Sequence, residues 1–218
     1  RLAMQKIIDR WRFLLRRHGR LATVLVAVTV LSQGCASLVI PPMVGPVVKN
    51  FNRQADLELV CDGAPSYLLL LDSLLVSDPN NARLLLHGTQ AYTAYASLMP
   101  ECGRPERGAV LGERAKAYGL RLLGTNKRLG EAEQLPLAQF SEAVQSVGPG
   151  EVDKLFWSGY GWATWIGFSK GAPAAVVDLP KVEQLMLRVL ALDESFYQGG
   201  AHLFLGIYYG SRPVMLGG

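Results

Sequence analysis

Between Ala64 and Met99 the apolar positions recur with the period of a helix, in two runs separated by Asp78-Pro79-Asn80-Asn81. In the first run they fall at Tyr67, Leu68, Leu70, Leu71, Leu74 and Leu75, an i, i+3, i+4, i+7 stripe. Pro65 suits the first turn of such a helix, where its missing N–H would have no partner. Pro79 ends it, because the residue before a proline is pushed out of the α region. Asn80 or Asn81 can cap the next helix by accepting a backbone N–H. Leu84, Leu85, Gly88, Ala91, Tyr92, Tyr95 and Leu98 form the apolar face of that second helix. Two helices with one oily face each cannot bury those faces alone. The hairpin therefore predicts further helices stacked on it, in an α-solenoid.

The rest of the chain extends the pattern. Val47 to Cys61 reads as a helix with Val47, Val48, Phe51, Ala55 and Leu59 inward. Pro100 to Pro105 interrupts the chain, and Glu106 to Glu133 reads as one long helix. Ala109, Leu111, Ala115, Tyr118, Leu122, Leu123 and Leu129 mark its buried side, and its arginines, lysines and glutamates a solvated one. Pro136 to Val147 is a short helix ended by Gly148-Pro149-Gly150. Pro173 to Pro180 reads as a loop, with Asp178-Leu179-Pro180 opening a helix that buries Val182, Leu185, Met186, Val189 and Leu190. Ala201 to Tyr209 then echoes Ala82 to Tyr92, glycine included. Such helix–turn–helix units with a small residue in the second helix characterise tetratricopeptide-like repeats. Asp78 and Asp193, which mark equivalent turns, are not a whole number of 34-residue repeats apart, so the predicted all-α array is irregular. It stops at Leu216-Gly217-Gly218 without the polar capping helix a solenoid needs, so the 47–218 domain is expected to continue.

Glu151 to Lys170 is the least ordinary helix. It carries Trp157, Tyr160, Trp162, Trp165 and Phe168, interleaved with Gly159, Gly161, Ala163 and Gly167. A glycine inside a helix costs about 1 kcal/mol against alanine, and close helix–helix approach is the expected compensation. The helix is apolar nearly all round and so is expected to be buried. Two readings stand: every aromatic is core, or one side lines an apolar cavity with Trp157, Tyr160, Trp162, Trp165 and Tyr208 as the candidate lining.

The N-terminal region differs in character. Arg1 to Arg20 holds seven basic residues and one acid, and Leu21 to Leu31 follows without a charge. This is the layout of a secretory signal peptide, and eleven apolar residues are too few to span a bilayer. Ser32-Gln33-Gly34-Cys35 resembles a lipobox over residues 1–35, with Cys35 as the lipidated residue. An ordinary cleavable signal with an incidental cysteine is the competing reading. Residues 36–46, with Pro41, Pro42 and Pro46, form a stiff linker. Acyl chains on Cys35 would hold the protein at a membrane surface. Ala36 in place of aspartate favours the outer membrane.

Removing that region changes the charge argument. The whole chain is +4, but residues 36–218 keep 15 basic and 17 acidic residues, a net −2. No basic run remains, so nucleic acid is not a partner. Cys61 and Cys102 fall at the same side of an up-down-up stack, where a disulfide is feasible. Two cysteines without a nearby histidine do not make a metal site. His87 and His202 lie in repeat helices as packing residues, and Asp72 reads as a surface or capping carboxylate. No nucleophile–base spacing, phosphate loop or metal cluster is legible, so neither catalysis nor a cofactor is expected.

Three runs carry a family resemblance: Cys61-Asp62-Gly63-Ala64-Pro65-Ser66-Tyr67 with the leucines to Leu74, Asp178-Leu179-Pro180-Lys181-Val182-Glu183, and Gly199-Gly200-Ala201-His202-Leu203-Phe204-Leu205-Gly206. Together with the tryptophan helix they resemble the T-component family of tripartite ATP-independent periplasmic (TRAP) transporters. The resemblance implies a periplasmic lipoprotein of tetratricopeptide-like helices that forms a homotrimer. It implies an apolar, ligand-sized cleft and pairing with the solute-binding P-component. The alternative is an envelope scaffold that binds protein segments in a solenoid groove.

Overall fold

The computed structural model describes residues 53–211. The expected signal peptide with Cys35, the expected linker and residues 47–52 of the first expected helix lie outside the described residues. Among the described residues there are helices and no strands. In chain order they are α1 (Leu57–Ser77), α2 (Ala82–Leu98), α3 (Arg107–Leu123), α4 (Leu137–Gln145), α5 (Val152–Phe168), the single turn α6 (Pro173–Val176), α7 (Leu179–Leu192) and α8 (Phe196–Gly210). Helix α1 packs on α2, α2 on α3, α3 on α5, α5 on α7, and α7 on both α4 and α8. Helix α5 also reaches α2, which makes it the middle of the stack.

The expected break between Cys61 and Pro65 does not occur: α1 runs through Pro65 without interruption. Proline there removes the N–H that would bond the Cys61 carbonyl four residues earlier. Tyr95 of α2 replaces it, its hydroxyl donating to that carbonyl at 2.7 Å in a buried position. An orphan carbonyl is thus satisfied from the neighbouring helix, and the helix survives. Cys61 is also joined to Cys102 by a disulfide, with the Cα atoms 5.8 Å apart. Replacing Tyr95 by phenylalanine should cost about 1–3 kcal/mol, the usual penalty for a buried polar group left without its partner. Urea denaturation of the Tyr95→Phe protein checks this, and a loss below a few tenths of a kcal/mol would mean the carbonyl has another partner.

The buried stripe of α1 is Cys61, Ala64, Leu68, Leu71 and Leu75. Leu70, expected inside, is 52% exposed, and Leu59 is 55% exposed. In a run so rich in leucine the composition cannot choose the phase, and the packing of α2 does. Asn81 caps α2 as expected, accepting from the N–H groups of Arg83 and Leu84. The long helix expected from Glu106 to Glu133 ends at Leu123. Gly124 is its C-cap, Asn126 caps a 3-10 turn over Lys127–Leu129, and turns follow to α4. Leu129 is still buried, carried inward by that turn. Helix α8 begins with three residues in the left-handed region, Tyr197, Gln198 and Gly199 (φ 49°, 58° and 75°).

Candidate functional site

Helix α5 is apolar around most of its circumference, and α2, α3 and α7 each pack on it. Toward α3 it presents Ser158, Gly161 and Trp165 to the small-residue row Gly112, Ala115 and Gly119. A Cβ on Gly112 would lie 3.2 Å from the Trp165 Cα, and one on Gly119 3.0 Å from the Ser158 Cα. The Ser158 hydroxyl donates to the Gly119 carbonyl at 2.8 Å. Gly161 faces Thr93 of α2 and the Ala115 carbonyl, while Gly159 meets Met186 and Leu185 of α7. Close approach thus explains Gly159 and Gly161. Gly167, expected to serve the same end, has nothing within 4 Å. The row in α3 was missed in the sequence, although Gly108, Gly112, Ala115 and Gly119 recur every three or four residues.

That close approach places Lys116 of α3 inside the protein. Its ammonium is 2.6 Å from Glu133 Oε1 and 3.6 Å from Asp178 Oδ2, and its side chain is only 10% exposed. It lies 3.7 Å from the centre of the Trp165 ring and 5.5 Å from that of Trp162. The Trp162 indole N–H donates to Asp178 Oδ2 at 3.1 Å. Two carboxylates and two aromatic faces therefore offset the desolvation of one ammonium. Lys181 donates to the Glu133 and Ala132 carbonyls and fixes the segment that delivers Glu133. This corrects one expectation: Lys116 does not belong to the solvated face of its helix. Asp178 stands at the start of α7, as expected, with its carboxylate turned inward and no side-chain cap bond. The phase of Lys116, next to Ala115 and three residues before Gly119, was the available signal.

The five aromatic candidates are distributed over three places. Trp162 is fully buried, edge-on to Phe140 of α4, and shares Lys116 with the half-buried Trp165. Trp157 and Tyr160 lie on another side of α5, within ring contact of Phe156 and of each other. Tyr208 lies on α8, where it and Tyr209 both donate to Glu183.

A second polar cluster joins α1, α2 and α3. Asp72 accepts from the Tyr92 hydroxyl at 2.8 Å and from the Tyr118 hydroxyl at 2.6 Å, with Arg114 3.9 Å away. Asp72 is therefore an acceptor between three helices and no simple surface or capping group. Burial first, then the hydrogen bond to Asp72, pushes Tyr118 up to about 12 and Tyr92 still further above the ordinary tyrosine range. Both hydroxyls hold their protons more tightly folded than unfolded. Their contribution is complete below the unfolded tyrosine pKa near 10 and is lost as pH rises through the folded values. Stability should stay level to about pH 10 and then fall, by up to about 1.4 kcal/mol per pH unit for each hydroxyl. Denaturant melts of wild type and Tyr92→Phe between pH 8 and 11.5 check this: the variant should start lower and fall less steeply.

Among the described residues no catalytic arrangement emerges. Burial lowers the pKa of His87, which meets Gln90, and His202 is exposed. Among the described residues no group of three His, Cys, Asp or Glu side chains could hold a metal ion. Packed helices and buried aromatics define an all-helical class among the described residues. The comparison with known families agrees: residues 53–218 match the TRAP transporter T-component. The chain belongs to that family, whose members are accessory proteins of transport with a periplasmic docking role beside the solute-binding component, and not enzymes. No curated protein matches the chain.

Proposed function

We propose that this T-component is a lipid-anchored periplasmic homotrimer that binds an apolar organic solute and passes it to or from the solute-binding component. The anchor is Cys35, on the outer membrane, and the fold is an irregular tetratricopeptide-like solenoid. Three successive helix pairs, α1–α2, α3–α5 and α7–α8, support that architecture, with α4 and α6 as insertions. The observation that carries the solute reading is α5 itself. An aromatic-rich helix held at glycine distance from α2, α3 and α7 is a rigid support; Trp157, Tyr160, Trp162 and Trp165 are its candidate aromatics, and Tyr208 is the one on α8. Rigid aromatics supply large apolar contact at small entropic cost.

Native mass spectrometry of the delipidated protein (Cys35→Ser), purified gently from its own host, tests the reading. The expected result is a trimer carrying a co-purified small apolar molecule. A ligand-free monomer that retains a peptide would overturn it and favour a protein-binding scaffold.

A further inference from the structure

The side of α5 that faces away from Lys116 ends in an aromatic surface. Phe156 is within 5.3 Å, ring to ring, of Trp157 and of Tyr197, and Trp157 is 4.8 Å from Tyr197. Tyr160 is 37% exposed and Tyr197 52% exposed, so large ring area stays in water. Gly200 has no side chain because a Cβ there would strike the Phe156 ring at 2.7 Å, which lets α8 bring Tyr197 onto the cluster. Phe196, 5.4 Å from Phe156, continues the surface into an open concavity of about 390 Å³ between the Pro149–Asp153 segment and Leu192–Phe196.

Three carboxylates stand around this surface. Asp153 and Asp193 line the concavity, and Glu194 is exposed beside it. Asp153 and Asp193 accept only from backbone N–H groups and the Ser195 hydroxyl, and none of the three carboxylates has an ion-pair partner among the described residues. Of the neighbouring cations, Lys154 pairs with Glu151 and bonds Thr125, and the Arg188 guanidinium is directed to the Val147 carbonyl and Gln145. The exposed Tyr160 and Tyr197 of the cluster and the exposed His202 of α8 are further titratable groups on this side.

We propose that this acidic, aromatic surface docks a basic segment, rich in arginine or lysine, of the solute-binding component. The inference rests on the docking role given above and adds its place and chemistry. Guanidinium and ammonium groups stack on aromatic faces and pair with carboxylates at the edge, and the exposed Tyr160 and Tyr197, backed by the buried Phe156 and Trp157, are of a residue type enriched in binding hot spots. An open concavity suits a protein segment better than a small solute, which needs enclosure.

The test is calorimetric binding of the full delipidated protein to the purified solute-binding component of the same host, at 50 and 300 mM salt. Wild type should bind, lose affinity at least tenfold at the higher salt, and be competed by a tetra-arginine peptide. The Asp153→Asn/Asp193→Asn/Glu194→Gln variant should bind at least tenfold more weakly at low salt and lose most of the salt dependence. Tyr197→Ala should bind at least tenfold more weakly while keeping it. Glu113→Gln, on the exposed side of α3, should bind as wild type does. Melting curves establish that each variant is folded. Variants that bind like wild type would overturn this surface and leave the docking role standing. Absence of any complex with wild type would overturn the docking role itself and the proposal with it.

Discussion

Leucine at position 161 should cost the protein about 3 kcal/mol or more, or prevent it from folding. A Cβ there would lie 3.1 Å from Thr93 Oγ1, 3.2 Å from the Ala115 carbonyl oxygen and 3.2 Å from Thr89 Cγ2. Those atoms belong to α2 and α3, and one of them is backbone, so the side chain has nowhere to turn. The three central helices would have to separate, and overpacking a well-filled core typically costs 1–3 kcal/mol, occasionally more. Position 167 on the same helix is the control. Gly167 has nothing within 4 Å, so Gly167→Ala should be neutral or stabilise by up to about 1 kcal/mol through helix propensity. Chemical denaturation of both variants decides the matter. Equal effects at the two positions would mean that the glycines of α5 do not serve helix approach.

Removing the disulfide should cost about 4 kcal/mol. Cys61 and Cys102 are 41 residues apart in sequence, and closing a loop of that length restricts the unfolded chain by this amount in the loop-entropy model. For a domain of this size each kcal/mol shifts the melting temperature by about 2–4 °C, so Cys61→Ala/Cys102→Ala should melt about 8–16 °C lower than the oxidised protein. Reduced wild type should melt with the variant. The Tyr95 hydroxyl bonds the Cys61 carbonyl, so Tyr95→Phe and loss of the disulfide should not add independently. Full additivity in the double comparison would show that the two fastenings of α1 act separately.

These predictions depend on unequal parts of the sequence. The α1–α2 hairpin was legible because its turn carries local chemistry: Pro79 stops one helix and Asn81 caps the next. The tryptophan helix was legible because Gly159 and Gly161 among large aromatics have little purpose except close approach. The clasp at Asp72 was not legible. Its acceptor and the Tyr92 and Tyr118 donors are 20 and 46 residues apart, and nothing local links them. The end of α3 was misplaced because Leu129 kept the apolar period beyond Gly124, although the chain reaches that buried position through a 3-10 turn.

The sequence by itself determined the helical class and the burial of the aromatic helix. These follow from periodicity, composition and capping, which act within a few residues. Only the tertiary structure decided which leucines of α1 face inward, that Lys116 is enclosed by Trp162, Trp165, Glu133 and Asp178, and that the exposed Tyr197 packs on the buried Trp157. Each of these depends on helices distant in sequence meeting at a particular angle and depth. Side-chain volume at the crossing points, above all the glycines of α3 and α5, sets that depth.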